Sequence, residues 1–538
     1  PSTYNEAETM PRRHPDIPCR KGLYMKILLK NGSIIDGTGK ESYKADLLIE
    51  GGCIAAIGAV DARLADRVID VQGKCVAPGF IDAHSHNDWF AARKYNARFF
   101  MPFLRQGITT QVTGNCGFSP FGFEKDSKYK PLLGSGLFQF PDEEGRDFST
   151  LAGFAPALHG LPVHIVPLYG HMSGRISVSG NAGKALDERE LARLDRLIEE
   201  ALDDGAAGVS LGLMYEPDRY APYAELKRAA QIAARRGKVL AVHGRALSAV
   251  STSYQPPVGG RAHNLRALDE MIRLARETGV KLQYSHLIFV GSRTWRTADQ
   301  ALEMIHSARA EGIDIMYDSY AMTYGASIIT VVLPPWYLAL PLEKRASSAA
   351  RARVAIEVNV TKMMLGFDFD DIVMAWVADG QEALCGKSVH QIAREWKTSD
   401  LDAYLRLVDL SGGKGRVLMR KYLTPEILSR LMDDPCCLCM TDAWVEEQGV
   451  QNAAAFGCFP EFLRLAAKKG TLEKTVRQMT GATADRFGIN GRGYLKEGYI
   501  ADITVFDHRQ VRPSEQPDGK PYGIERVFRA GEEVSLEG

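Results

Sequence analysis

The chain lacks the features that would direct it to a charged polymer or into a membrane. Its 538 residues carry 66 Lys and Arg against 66 Asp and Glu, so the formal net charge is zero. A balanced charge gives no electrostatic reason to bind nucleic acid or an anionic membrane surface. No apolar run approaches the roughly 18 residues of a membrane span, and residues 1–24 lack the apolar centre of a secretory signal. We therefore expect no nucleic-acid or membrane partner, and we interpret residues 1–24 as an N-terminal extension.

Cysteine is sparse and unevenly placed. The nine cysteines are an odd number scattered over a large chain, which fits free thiols in a reducing compartment better than a disulfide framework. This predicts a cytoplasmic location. Cys436, Cys437 and Cys439 lie in an apolar strand-like run, where alternation would send Cys437 and Cys439 to one face and Cys436 to the other. We interpret all three as small buried hydrophobic residues.

Strand-like runs alternate with amphipathic helical runs through most of the chain. Helical runs such as 223–236 and 265–277 end near a glycine, as helices commonly do. Eight such alternations predict an α/β fold, a (β/α)₈ TIM-like barrel. The predicted strands cover residues 76–84, 108–113, 163–168, 207–213, 238–243, 281–286, 313–317 and 437–442.

The rest of the chain predicts additions to this barrel. Short β segments at residues 25–79 and 489–538 predict a small β-sandwich domain formed by the N- and C-terminal segments. The barrel would then cover residues 80–488. Residues of about 337–427 are helical and charged, and they predict a helical insertion between strands seven and eight.

Metal-ligand residues occur at the ends of five of the eight predicted strands. His84 and His86 are two positions apart on one strand, so their side chains share a face and can bind one metal ion. Catalytic residues of such a barrel converge at the C-terminal ends of its strands, and imidazole and thiolate suit Zn²⁺. Each residue alone has an ordinary structural explanation, but together they predict a metal centre. The remaining candidates are Cys116, His243, His286 and Asp442.

Several motifs carry a resemblance to a known family. The segment 78–86, PGFIDAHSH, resembles the first-strand motif of the amidohydrolase superfamily, and 114–119, GNCGFS, resembles the N-acyl-D-amino-acid deacylases, or D-aminoacylases. The resemblance runs from about Met25 to the C-terminus. Further similar motifs lie at 284–287, 333–336, 486–489 and 493–502.

The resemblance implies a zinc-dependent hydrolase that cleaves a C–N amide bond in a small-molecule substrate. Cys116, His243 and His286 match the ligands of a tightly held zinc ion. His84 and His86, with Cys116 as a bridge, match a second and weaker site. Asp442 matches the catalytic aspartate, which acts as general base and then general acid.

Two further residues near strand ends are candidates for substrate contacts. His171 follows the third predicted strand and Arg245 follows the fifth. Both could donate polar contacts to a substrate, and a structural hydrogen bond is an equally good explanation for each.

The chain departs from the family pattern where a substrate carboxylate would be held. D-aminoacylases typically have an arginine after the catalytic aspartate, and a free carboxylate needs such a positioned cation. The corresponding residue here is Ala454, while Ile288 replaces a lysine and Met322 a tyrosine. These changes predict a more apolar pocket and an alternative substrate, a neutral, peptide-like or cyclic amide. A non-catalytic scaffold is a third hypothesis, which the complete set of candidate ligands disfavours.

Overall fold

The computed structural model of the chain describes residues 25–134, 138–141, 145–254 and 260–537. The predicted extension at residues 1–24 lies outside this range. Within it, no helix combines the length and the apolar character needed to cross a membrane.

We number strands β1–β20 and helices α1–α16 in chain order. The strands are β1 Ile27–Ile34, β2 Tyr43–Glu50, β3 Cys53–Gly58, β4 Arg67–Asp70, β5 Cys75–Pro78, β6 Phe80–Asp82, β7 Ile108–Thr113, β8 His164–Pro167, β9 Tyr169–Gly170, β10 Gly208–Gly212, β11 Val239–His243, β12 Lys281–Tyr284, β13 Ile315–Ser319, β14 Gly325–Ile328, β15 Ile372–Trp376, β16 Arg416–Met419, β17 Cys437–Cys439, β18 Ile503–Phe506, β19 Ile524–Arg529 and β20 Glu532–Val534. The helices are α1 Ala97–Leu104, α2 Leu151–Phe154, α3 His171–Ser179, α4 Glu188–Asp203, α5 Tyr223–Arg235, α6 His263–Thr278, α7 Ala298–Ala310, α8 Pro335–Leu338, α9 Leu342–Arg345, α10 Ser348–Leu365, α11 Val389–Trp396, α12 Asp400–Leu410, α13 Pro425–Asp433, α14 Ala454–Lys469, α15 Leu472–Met479 and α16 Gly481–Phe487.

Eight parallel strands close into the predicted barrel. β6, β7 and β8 pair in parallel, and β9 to β13 continue in parallel as far as β17. Only Leu168 separates β8 from β9, and its N–H donates to the carbonyl of Thr113, so the two short strands act as one. The ring closes between β17 and β6, where the N–H of Ala83 donates to the carbonyl of Cys439. The strands are buried on both faces, as parallel strands covered by helices are.

The bounds predicted for the first barrel strand are wrong. Residues 76–84 form two strands rather than one, because the chain turns at Gly79. β5 pairs with β18 outside the barrel, whereas β6 pairs with β7 inside it. A side chain at Gly79 would not fit, since a Cβ there would lie 2.3 Å from Oγ1 of Thr109. Both halves are apolar, so the pattern of residues alone does not reveal the turn.

The two ends of the chain share one sheet. Its strands run in the order β20-β19-β18-β5-β1-β2-β3, and β4 pairs with β1. This sheet has its own hydrophobic core, which includes Leu29, Val76, Ile503 and Phe528. Segments from the two termini therefore meet as expected, while the bounds 25–79 and 489–538 of a sandwich domain stay a prediction.

The segment between β13 and β17 contains strands as well as helices. β14, β16 and β15 form an antiparallel sheet, so the expectation of a purely helical insertion at 337–427 misses two strands. Both are only four or five residues long and lie among charged helical sequence. The segment leaves the barrel at the C-terminal end of β13, the face on which barrel enzymes carry their active sites.

Gly114 fixes the exit of β7 toward Cys116. Its φ is +75°, a conformation that disfavours any side chain, and a Cβ there would lie 2.1 Å from the carbonyl oxygen of Leu168. We expect Gly114→Ala to lower the free energy of unfolding by roughly 3 kcal/mol or more, because overpacking against backbone adds to the conformational strain. Denaturant unfolding followed by circular dichroism measures this.

Gly279 offers a matched control. Its φ is +68°, but no atom lies within 4 Å of a Cβ built there. Gly279→Ala should therefore cost only the strain, about 1–2 kcal/mol. Equal losses in the two variants would contradict the steric argument for Gly114.

Candidate metal centre

The barrel brings the six predicted metal-site residues to one end. Each follows or ends a strand on the C-terminal face, where parallel strands direct their last side chains toward a common point. Asp442 is the most open, with 24% of its side chain exposed, while the other five are buried. They are His84 and His86 after β6, Cys116 after β7, His243 at the end of β11, His286 after β12 and Asp442 after β17.

The sulfur of Cys116 lies among three imidazoles. Its Sγ is 3.4 Å from Nε2 of His84, 3.4 Å from Nδ1 of His243 and 3.5 Å from Nε2 of His286. On the other side of His84, Oδ1 of Asp442 is 3.4 Å from His84 Nε2 and 3.5 Å from His86 Nε2. Five of the candidate ligands therefore form two close groups, Cys116 with His84 and His286, and Asp442 with His84 and His86, while His243 contacts Cys116.

These spacings fit a zinc ion. Zinc–sulfur bonds of about 2.3 Å and zinc–nitrogen bonds of about 2.0–2.1 Å at a tetrahedral angle place sulfur and nitrogen about 3.6 Å apart. The observed separations of 3.4 to 3.5 Å are close to this value. Imidazole, thiolate and carboxylate are also the donors that zinc prefers. The residues present therefore fit the metal that their chemistry indicates.

Three of the six residues have an unusual backbone conformation. Cys116, His286 and Asp442 have φ values of +54°, +35° and +48°. Non-glycine residues seldom adopt positive φ, and those that do cluster at functional sites, where the surroundings hold them in place. Here the strain lies at strand ends, where the chain must turn a side chain inward.

Two buried carboxylates hold the backbone of the site. Asp82 accepts hydrogen bonds from Oγ1 of Thr441 at 2.6 Å, from the Thr441 N–H at 2.9 Å and from the His84 N–H at 3.2 Å. Asp318 accepts the His286 N–H at 2.6 Å and Nε2 of Gln283 at 2.7 Å. Neither carboxylate was predicted from the sequence. Their positions on the strands could have indicated a role at the site, because Asp82 lies two positions before His84 on the same strand face and Asp318 lies near the end of the seventh strand.

The electrostatics of the centre favour negative charge on sulfur and on Asp442. Burial raises the pKa of the Cys116 thiol, but the charges of His84 and His243 outweigh it and hold the pKa well below its usual range. Burial likewise raises the pKa of Asp442, and His84 and His86 bring it below its ordinary value. For His86, burial lowers the pKa, but Asp442 and Cys116 raise it to about 9. An anionic sulfur and an anionic carboxylate suit a site for a cation.

His171 lies in a buried network. Its Nδ1 is 2.9 Å from Oδ1 of Asp218, and its Nε2 is 3.6 Å from Glu225, which also pairs with Arg175 at 2.7 Å. Asp218 accepts the N–H of Gly212 at the end of β10. These contacts support the strand end, and contact of His171 with a substrate stays a prediction.

Arg245 is also engaged within the protein. Its Nε donates to Glu270 at 3.0 Å, and its two terminal nitrogens donate to the carbonyls of Arg219 and Ala221. Contact of Arg245 with a substrate therefore stays a prediction. So does the expectation that Ile288, which is buried, and Met322, which is half-buried, contribute to an apolar substrate pocket.

Aromatic rings line the centre, and none of them was predicted from the sequence as part of it. Tyr215 lies 4.8 Å from the ring of His243, and Trp444 lies 5.8 Å from the ring of His86. Phe118 and Phe138 connect them, since Phe118 contacts Tyr215 at 5.2 Å and Phe138 contacts Trp444 at 5.0 Å. Phe118 and Trp444 each lie two positions after a candidate site residue, and this spacing could have indicated that they lie near the centre. The rings form an apolar wall around the polar centre.

Comparison with known proteins agrees with this geometry. The amidohydrolase family profile matches residues 67–323. A D-aminoacylase of Alcaligenes xylosoxydans xylosoxydans is 29% identical over 520 residues, covering 95% of this chain and 94% of the relative. An N-acyl-D-glutamate deacylase of the same organism is 29% identical over 94% of this chain and 93% of its own length.

Solved structures give the same picture. An N-acyl-D-glutamate deacylase from Bordetella bronchiseptica, crystallised with zinc and a phosphonate inhibitor, has a TM-score of 0.76 and 26% identity, covering 95% of this chain and 96% of that one. A D-aminoacylase crystal structure has a TM-score of 0.75 with the same identity and coverage. The chain therefore carries an amidohydrolase domain at residues 67–323, is similar to the D-aminoacylases over nearly its whole length, and is a hydrolase of amide bonds.

Proposed function

We propose that this chain is a zinc-dependent deacylase that converts an N-acyl-D-amino acid, or a close derivative, into the D-amino acid and a carboxylate. The observation that carries the proposal is the approach of one sulfur to three imidazole nitrogens at 3.4 to 3.5 Å, with a carboxylate beside them. The names of the similar proteins, a D-aminoacylase and deacylases of N-acyl-D-glutamate and N-acyl-D-aspartate, support the substrate class.

Cys116, His243 and His286 would hold a tightly bound zinc ion, and His84 and His86 would complete a weaker site that shares Cys116. When bound, zinc lowers the pKa of a coordinated water toward about 7 and polarises the amide carbonyl. Asp82 and Asp318 fix the backbone at His84 and His286, so the ligands are oriented before a metal arrives.

Asp442 would carry the proton through the reaction. Its carboxylate is ionised because the nearby histidines lower its pKa, and contacts with His84 and His86 orient it. It would accept a proton as water adds to the amide carbon, and then give that proton to the nitrogen as the C–N bond breaks. The acyl group leaves as a carboxylate and the nitrogen leaves as a free amine.

The alternative substrate, a neutral amide, has its own support. Ala454, Ile288 and Met322 are apolar where the family pattern has an arginine, a lysine and a tyrosine. Arg245 is paired with Glu270, and Arg416 of β16 is paired with Glu446, four positions after Asp442. Burial raises the pKa of Glu446 to about 7. Both arginines therefore already have carboxylate partners.

The ligand assignment predicts the effect of removing the bridging thiol. We expect Cys116→Ala to weaken zinc binding by more than the roughly 10–100-fold that loss of an outer partner costs, because a direct ligand is removed. Metal analysis after dialysis against a weak chelator measures zinc per chain. Cys385→Ala, which changes a half-exposed thiol, should retain wild-type zinc. Unchanged zinc in Cys116→Ala would refute the assignment.

The proton-transfer role predicts a separable effect at Asp442. We expect Asp442→Asn to lower kcat by about 10²–10⁴-fold, because an amide cannot accept the proton, while the tightly held zinc remains. Asp400→Asn, which changes a half-buried aspartate paired with His390, should leave kcat unchanged. A kcat within a few-fold of wild type in Asp442→Asn would exclude it as the general base.

Substrate preference separates the two candidate functions. We expect the zinc-loaded protein to hydrolyse N-acetyl-D-methionine faster than its C-terminal amide if a carboxylate pocket exists, since a paired cation would bind the free acid. Initial rates of amine release measure both, with N-acetyl-L-methionine as the stereochemical control. Cleavage of the capped compound alone would replace the deacylase proposal by the neutral-amide function. Cleavage of neither would contradict both.

A further inference from the structure

A second cluster of metal-ligand side chains lies outside the proposed catalytic centre. It consists of His306 on α7 with Asp434 and Cys436, which precede β17. One ligand atom from each lies within 4.8 Å of the other two, and Nε2 of His306 is 2.5 Å from Oδ2 of Asp434. The three donors are nitrogen, oxygen and sulfur, the set that zinc and similar cations take.

The cluster is at the opposite end of the barrel from Asp442. Cys436 comes just before β17 and Asp442 follows it, six positions later. At about 3.3 Å per residue, an extended strand separates them by roughly 20 Å. The two groups therefore cannot share an ion, and nothing in the proposed hydrolysis uses the second one.

The carboxylate of this cluster and the backbone of Cys436 are fixed before any ion arrives. Oδ1 of Asp434 accepts the N–H of Cys436 at 2.7 Å, which leaves Oδ2 facing His306. The carbonyl of Asp434 accepts Nε2 of Gln478 at 2.9 Å, so the turn itself is anchored. The side chain of Asp434 is only 4% exposed, but that of His306 is 54% exposed and leaves a path from solvent.

We propose that His306, Asp434 and Cys436 bind a thiophilic divalent cation, with Zn²⁺ and Cd²⁺ as the expected ions, on the N-terminal face of the barrel. The three side chains supply three ligands, and water from the exposed side completes a tetrahedral set.

The surroundings make this site weaker than the catalytic one. Burial raises the pKa of Cys436 to about 11, so a cation must displace the thiol proton to solvent. Arg309 and Arg486 also lie nearby, although Arg309 donates to the carbonyl of Ile315 and Arg486 pairs with Asp314. The site should therefore fill after the catalytic centre.

Cadmium titration tests the proposal, because a thiolate bound to Cd²⁺ gives an ultraviolet charge-transfer band. Protein already carrying two zinc ions per chain, so that both proposed catalytic sites are filled, should bind one further Cd²⁺ with the appearance of this band. The band should be absent in Cys436→Ser, and His306→Ala should weaken Cd²⁺ binding at least tenfold. His390→Ala is the matched control, because His390 forms a similar pair with Asp400 without a cysteine and should have no effect.

Cys116→Ala separates this site from the catalytic centre. The band should persist in that variant if Cys436 is its source, whatever happens to the tightly held zinc. Absence of the band in the zinc-loaded wild type, or its persistence in Cys436→Ser, would overturn the proposal. If Cys436→Ser does not fold, His306→Ala, at an exposed position of α7, decides, and unchanged Cd²⁺ affinity there would also overturn the proposal.

Discussion

The structure depends on a sulfur atom buried among imidazoles. Cys116 is almost wholly enclosed, and the charges of its histidine neighbours favour its thiolate. A buried charge is costly unless it is paired, so the site requires its partners to be held at fixed positions. The partners come from strands that are far apart in sequence. A closed barrel places the ends of these strands around one point. The partners must also be held there, which explains why buried carboxylates near the site accept hydrogen bonds from backbone N–H groups at the strand ends.

The hydrogen bonds that close the barrel also build the centre. Asp82 joins β6 to the residue before Asp442, and the N–H of Asp442 donates to the carbonyl of His84. The seam between the first and last barrel strands therefore lies directly beneath the carboxylate of Asp442. Asp318 performs the same task at the neighbouring strand end, where it accepts the N–H of His286. The hydrogen bonds of Asp82 and Asp318 therefore stabilise the barrel and orient the candidate ligands at the same time.

The sequence predicted the barrel and the convergence of the candidate ligands because both follow from local patterns. Strand periodicity and the position of a residue at a strand end were enough to bring His84, Cys116 and His286 together. The turn at Gly79 could not be predicted, since the residues before and after it are equally apolar and differ only in which sheet they join. The short strands β15 and β16 were hidden among helical, charged residues. The contacts of His171 and Arg245 depend on partners distant in sequence, which no local pattern reveals.

The division of one apolar stretch between β5 and β6 has a consequence for synthesis of the protein. β5 lies in the sheet shared by both termini, and its antiparallel partner β18 is made more than 400 residues later. β6, which leads to His84 and His86, meets its closing partner β17 only after residue 437 has been made. His84 and His86, the first candidate ligands to leave the ribosome, thus meet Asp442 only near the end of synthesis. The carboxylate side of the candidate centre is therefore completed late in folding, and the long-range pairing that completes it is inherently slow.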